Sequence, residues 1–380
     1  MRRSPLSSLA RSLQDSKTPL LPRCTCSFTR PAVAGALALP SSSRSFSTSS
    51  PSHSHDNPLG LPRNDAPPTM PRMQRGLPQK RKLQGVKKVV VVSSGKGGVG
   101  KSSVAVNLAL ALSSLPPEVT GGARPRVGVL DLDIFGPSIP KLMGLEGVGE
   151  PYLTKENRLT PLRAHGLPCM SMGFLLPNSP PPDADPTDVD AASGADMPVV
   201  WRGMMVMKAV QQLLFDVDWR AGNGGEDLDI LVVDTPPGTG DVTLSLGQLV
   251  VVDGSVIVST PQNVAIIDAR KGVAMFRKLG IPITGAVLNM SHFLCPGSST
   301  PHYIFGPPTT FERTCSKLSL DVLAQIPIEP AVSTQGDKGA PVTMLAAAAE
   351  NEGGNGGGEA RKAFLQLGGE VWRRLQHGGA

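Results

Sequence analysis

Eight residues, Gly95-Lys96-Gly97-Gly98-Val99-Gly100-Lys101-Ser102, satisfy the spacing G-x-x-x-x-G-K-[ST], follow the run Val89 to Val92 and open an apolar stretch of helical character. Residues of these types at this spacing bind phosphate. The glycines let successive backbone N–H groups converge on phosphate oxygens, and a helix start adds the positive end of its dipole. Lys101 is expected to neutralise the β and γ phosphates of a nucleoside triphosphate, and the Ser102 hydroxyl to hold Mg²⁺, with Ser103 beside it in the first helical turn. A second lysine in the loop, Lys96, is not required by a phosphate site within one chain.

Two further strand ends carry acids in the order such a site needs. "VGVLDLDIFGPSIP" places Asp131 and Asp133 just past an apolar run, and "LDILVVDTPPGTGD" does the same for Asp234. Asp234 reads as the acid that polarises Mg²⁺-bound water, Asp133 as a switch residue near the attacking water, and Asp131 as a weaker Mg²⁺ ligand. Any one of these acids would equally suit a helix cap or a turn, and it is the three motifs together that point to nucleotide chemistry.

The elements that must carry these residues alternate. Lys88 to Val92, Val127 to Leu130, Leu228 to Val233, Ser255 to Val258 and Ile283 to Leu288 read as buried strands, with helices between them at Ser102 to Leu112 and Val264 to Leu279. That alternation predicts an α/β fold with a mostly parallel, doubly wound sheet whose ligands lie at the carboxyl ends of the strands.

Composition divides the 380 residues into unequal parts. Residues 1–46 hold seven basic side chains and one acid, residues 47–88 eight and two, and residues 89–380 hold 22 and 28. The net charge of +6 therefore lies in the N-terminal region, the remainder is mildly acidic, and a nucleic-acid partner loses its main support. Residues 1–46, rich in Arg, Ser and Leu, have the composition of a mitochondrial transit peptide, which implies the matrix. Residues 47–85 read as a Pro-rich basic linker and residues 86–345 as one domain. Within the domain, the acidic, Pro-rich stretch 177–198 has almost nothing to bury and reads as a disordered insertion. Residues 346–380 read as a Gly- and Ala-rich tail with at most one short terminal helix. No apolar run approaches the roughly 20 residues that span a bilayer, so any membrane contact is expected to be peripheral.

"GKGGVGKS" with Lys96, followed by "DLDIFGPSIP" and "DTPPGTGD", resembles the deviant Walker A class of P-loop NTPases, the SIMIBI group that includes the MinD and ParA proteins. "VVWRGMMVMKAVQQLL", "TPQNVAIIDARKGVAMFRKLGIPITGAVLNMS" and "IFG" narrow the resemblance to Mrp-type iron-sulfur carrier ATPases. "RGLPQKRKLQGVKK" with a presequence resembles their mitochondrial branch, the NUBPL-like iron-sulfur proteins required for respiratory complex I assembly. The resemblance covers about residues 75–342. It implies a slow ATPase that dimerises with itself, with Lys96 reaching the partner's nucleotide and Asn289, and also Asn107, near its own. It further implies a labile 4Fe-4S cluster delivered to apo-proteins, complex I subunits among them.

The family carries C-P-x-C ahead of "IFG", whereas this chain reads Cys295-Pro296-Gly297-Ser298. Cys295 is the expected ligand, and Ser298 stands where a second thiolate would, although a Ser hydroxyl is a harder and far less acidic donor. His302 and Cys315 are candidate replacements, and Cys169 reads as a small buried apolar residue. Two alternatives remain from these residues: an ATP-dependent assembly factor that has lost its cluster, and a MinD-like ATPase anchored by "ARKAFLQLGGEVWRRLQ" as an amphipathic helix.

Overall fold

The computed structural model describes residues 79–134, 136–175, 203–221, 224–295, 300–345 and 358–377. The expected presequence and the insertion 177–198 lie outside them, as does Ser298.

Strand β1 (Val86–Ser94) leads through the phosphate loop into helix α1 (Lys101–Ser113), and a short helix α2 (Pro117–Thr120) precedes β2 (Val127–Asp131) and α3 (Ile139–Leu142). A hairpin of β3 (Leu162–Ala164) and β4 (Leu167–Ser171) follows, then α4 (Gly203–Phe215), β5 (Leu228–Asp234) and α5 (Asp241–Leu249). The remaining elements are β6 (Gly254–Ser259), α6 (Asn263–Lys278), β7 (Gly285–Leu288), a small hairpin of β8 (Phe293–Leu294) and β9 (Pro301–His302), α7 (Thr309–Lys317), β10 (Val322–Gln325), α8 (Pro330–Asp337) and α9 (Gly358–His377).

Eight strands form one sheet in the order β10-β7-β6-β1-β5-β2-β4-β3, parallel except for β3 at one edge. The central strands are buried on both faces, so β1, β2, β5 and β6 read as unbroken apolar runs instead of alternating. Their registers bring Val92 opposite Asp234 and Asp131 opposite Asp234, which gathers the three motifs of the sequence at one edge of the sheet. Each strand and helix expected from periodicity is present within two residues, which confirms the doubly wound reading.

The C-terminal region differs from the expected tail. Helix α9 runs for 20 residues and buries Ala360, Ala363, Phe364, Leu367, Val371 and Leu375 in the main core. It lies along α1, whose residues Val104 to Leu112 are all buried because the sheet covers one side and α9 the other. Gly368, which would weaken an isolated helix, is needed here: a Cβ at this position would stand 2.8 Å from the Ala111 Cβ. The apolar face of α9 is therefore spent on the core, and the MinD-like anchoring helix has no free apolar side to offer a bilayer. Among the described residues no helix is long and apolar enough to cross a membrane.

Candidate functional site

The phosphate loop is shaped by what touches it. Gly95 lies against the backbone of α6, where an added Cβ would come within 2.1 Å of the Asp268 carbonyl carbon. Gly100 adopts φ +80°, and a Cβ there would stand 2.3 Å from Asn289 Nδ2. Asn289, just past β7, donates this amide to the Val99 carbonyl at 2.9 Å, so it braces the loop from beneath. The loop is also closed on itself, since the Ser94 hydroxyl donates to the Lys96 carbonyl at 2.9 Å. Helix α1 begins on Gly100 with no side-chain cap, which leaves its first N–H groups for an anion.

Lys101 turns inward, with only 6% of its side chain exposed. Its Nζ lies 2.5 Å from Asp234 Oδ1, 3.8 Å from Asp133 Oδ2 and 3.2 Å from the Ser102 hydroxyl. Sheet registration and the α1 start thus bring Lys101, Ser102, Asp133 and Asp234 together as expected. Burial pushes the Asp234 carboxyl up, and Lys101 opposes the shift. The second oxygen, Asp234 Oδ2, is buried with no hydrogen-bond partner. An orphaned carboxylate oxygen beside a Ser hydroxyl offers the oxygen donors that Mg²⁺ with its waters takes, so the residues fit that ion.

Asp131 occupies a different place from that expected of a Mg²⁺ ligand. It is fully buried, its Oδ1 accepts the Asp133 N–H at 2.9 Å, and its Oδ2 accepts the Ser171 hydroxyl at 3.0 Å and the Ile139 N–H at 3.3 Å. Burial, with the neighbouring Asp234 charge, pushes its carboxyl up to about 8. Asp131 therefore fixes the turn that carries Asp133. Ser171, at the carboxyl end of β4, accepts the Gly173 N–H at 3.0 Å and was missed from the sequence, although a Ser closing a buried strand was the available signal.

Residues 235–240 dock on the end of β1 just ahead of the phosphate loop, with the Gly238 N–H donating to the Ser94 carbonyl at 2.8 Å and the Thr235 hydroxyl to the Val92 carbonyl at 3.1 Å. Asn107 is turned to other work: it donates to the Ser103 carbonyl at 2.8 Å and accepts the Thr343 hydroxyl at 2.7 Å, tying α1 to the chain ahead of α9. Lys96 is exposed, and its ammonium meets no acceptor among the described residues.

The cysteines separate by environment. Cys169 on β4 is fully buried, which pushes its thiol up to about 12. Cys315 on α7 sits in a small core with Ile266, Ala286, Leu288 and Phe311 and is pushed up to about 11 by burial and the Glu312 charge. Cys315 is thus placed as a core residue, and its burial is the feature that disfavours it as a ligand. Cys295 is exposed immediately after β8. Among the described residues no group of three or more His, Cys, Asp or Glu is placed to hold a metal ion.

Three comparisons with known proteins agree with this geometry. Residues 85–354 match a family model described as ParA: NUBPL iron-transfer P-loop NTPase. The chain is 43% identical over 304 residues to the iron-sulfur cluster transfer protein NUBPL of Mus musculus, covering 80% of this chain and 82% of that one. It is 42% identical to the iron-sulfur protein required for NADH dehydrogenase, mitochondrial, of Arabidopsis thaliana, over 69% of this chain and 74% of the relative. A solved nucleotide-binding protein in complex with ADP from Archaeoglobus fulgidus is 29% identical, covers 68% of this chain and 88% of its own, and superimposes with a TM-score of 0.50. With the glycine loop, the buried Lys101 and the sheet order that positions them, these matches show that the chain belongs to the NUBPL iron-transfer P-loop NTPases.

Proposed function

We propose that this protein binds and slowly hydrolyses ATP as a homodimer in the mitochondrial matrix and carries a 4Fe-4S cluster, as cargo, to apo-proteins, respiratory complex I subunits among them. The observation that carries the nucleotide half is the buried Lys101–Asp234 pair with its orphaned carboxylate oxygen under the glycine loop. The cargo half is supported by the names of the mouse and plant relatives and by one exposed thiol, Cys295, at the end of a hairpin.

In this reading the free N–H groups of the loop and of the α1 start hold the phosphates. Lys101 exchanges part of its pairing with Asp234 for phosphate oxygens, which frees Asp234. Ser102 and Asp234 would then hold Mg²⁺, and the ion would supply positive charge against the phosphates. Asp133, held by Asp131 and 3.8 Å from Lys101, stands where it can orient the attacking water. Lys96, exposed and without an acceptor among the described residues, is free to reach a nucleotide on a second copy.

The test is transfer. Protein reconstituted anaerobically with iron and sulfide is mixed with an apo 4Fe-4S acceptor, and the acceptor's spectrum is followed with and without ATP; an acceptor that stays apo under both conditions overturns the carrier reading. A Lys96→Ala variant should bind ATP with little change yet lose about tenfold or more in hydrolysis and in ATP-dependent dimer mass by light scattering. Unchanged turnover removes the role given to Lys96.

A further inference from the structure

The hairpin that bears Cys295 also bears an exposed histidine, and its register decides how the two are related. Phe293 pairs with His302 and Leu294 with Pro301 in an antiparallel ladder. Side chains alternate along a strand, and directly opposed residues share a face. Phe293 and His302 therefore share a face, and Cys295 directly follows Leu294 at the same end of the hairpin, past the last pair of the ladder. A thiolate and a longer imidazole at the end of one short ladder can reach a common metal centre.

Other features select the same pair. Cys295 and His302 are both exposed, and neither side chain has a hydrogen-bond partner among the described residues. The neighbouring His292 is already engaged, with Nδ1 2.9 Å from the Ser291 hydroxyl and its ring edge-on to Tyr303 at 6.4 Å. The other described cysteines are buried in apolar surroundings. The hairpin is anchored through a parallel bridge from Phe293 to Ile328 and through the Ile328 N–H, which donates to the His292 carbonyl at 2.7 Å, so its base is a fixed platform.

We propose that Cys295 and His302 form a two-ligand half-site for the iron-sulfur cluster, completed by the same pair from a second copy to give two thiolates and two imidazoles. The inference rests on the carrier reading. On binding, each Cys295 thiol gives up its proton and donates as thiolate, whereas each His302 donates a neutral nitrogen lone pair, so two bound imidazoles leave the cluster two negative charges short of an all-thiolate set. Two thiolates and two imidazoles together hold the two-iron Rieske centres, so imidazole is an accepted ligand to iron-sulfur iron. It would also let the chain hold a cluster with a serine at position 298.

The test uses the full chain, reconstituted anaerobically with ferrous iron and sulfide, with iron content and pulsed EPR of the reduced cluster as readouts. Wild type should take up about two irons per chain, one four-iron cluster per pair, and show ¹⁴N coupling from a coordinated imidazole. His302→Ala should lose the nitrogen coupling and roughly tenfold or more of its cluster affinity, with its melting temperature unchanged. His302→Cys should regain the iron without the nitrogen signal, and Cys295→Ser should hold none. Wild-type iron content in His302→Ala, or no nitrogen coupling in a loaded wild type, overturns the half-site and leaves the carrier reading standing. If wild type takes up no iron while Ser298→Cys does, the carrier reading itself fails for this chain, and the half-site with it.

Discussion

The phosphate loop and helix α9 are both built around α1, and they solve opposite electrostatic problems. At the loop, Asp131, Asp133 and Asp234 crowd one lysine, and all four are at most 9% exposed. At α9 the charges sit at the ends. The Glu329 Oε1 accepts the Glu359 and Ala360 N–H groups at 3.1 Å each, and the Lys88 ammonium donates to the Leu375 carbonyl at 2.5 Å. Both orphan-rich termini of the helix are thereby met by charges of the favourable sign. The loop is held in a costly arrangement that a ligand relieves, while α9 is an arrangement that contributes stability. Substitutions should therefore separate the two regions cleanly, with the loop governing binding and α9 governing folding.

The largest effect is expected from Phe364→Ala, which opens a cavity where α9 meets the core and should cost about 3–5 kcal/mol in urea unfolding. ATP turnover per folded molecule should not change. A variant as stable as the parent would remove α9 from the core and break the contrast. Next, Lys101→Met combined with Asp234→Asn should lower ATP affinity by on the order of 100-fold, about 2.7 kcal/mol by titration calorimetry, while the unfolding midpoint stays level or rises. A large fall in that midpoint would show that the buried pair is structural. Smaller again, Gly368→Ala should cost about 1–3 kcal/mol by pressing on Ala111. Gly369→Ala, one residue on and with nothing within 4 Å of the new Cβ, should gain roughly 0.5–1 kcal/mol. Equal signs for the two glycines would mean that α9 does not approach α1 as closely as described.

The same contrast governs what could be read in advance. The loop residues Gly95 to Ser102 form a contiguous signal, and the strands that lead to Asp133 and Asp234 are buried on both faces, so each announces itself as an apolar run ending in an acid, Asp131 or Asp234. Helix α9 is amphipathic in a Gly-rich context, and its two glycines read as interruptions until Ala111 is seen opposite Gly368. Asp131 and Asn289 are a different case. Both were recognised as belonging to the site, but Asp131 spends its oxygens on Asp133, Ile139 and Ser171, and Asn289 its amide on Val99. A carboxylate looks the same in sequence whether it faces a metal or three N–H and O–H donors, because two of those donors come from α3 and β4, 8 and 40 residues away.

Sequence alone determined the phosphate chemistry, the parallel sheet and the presence of an unusual second lysine, because each depends on local spacing and on the burial pattern of single strands. Tertiary structure decided which acids remain available, which cysteine is reachable, and that the last helix belongs to the core. Those properties are set by what approaches each side chain from distant elements, and desolvation and hydrogen-bond competition act through space without regard to chain order.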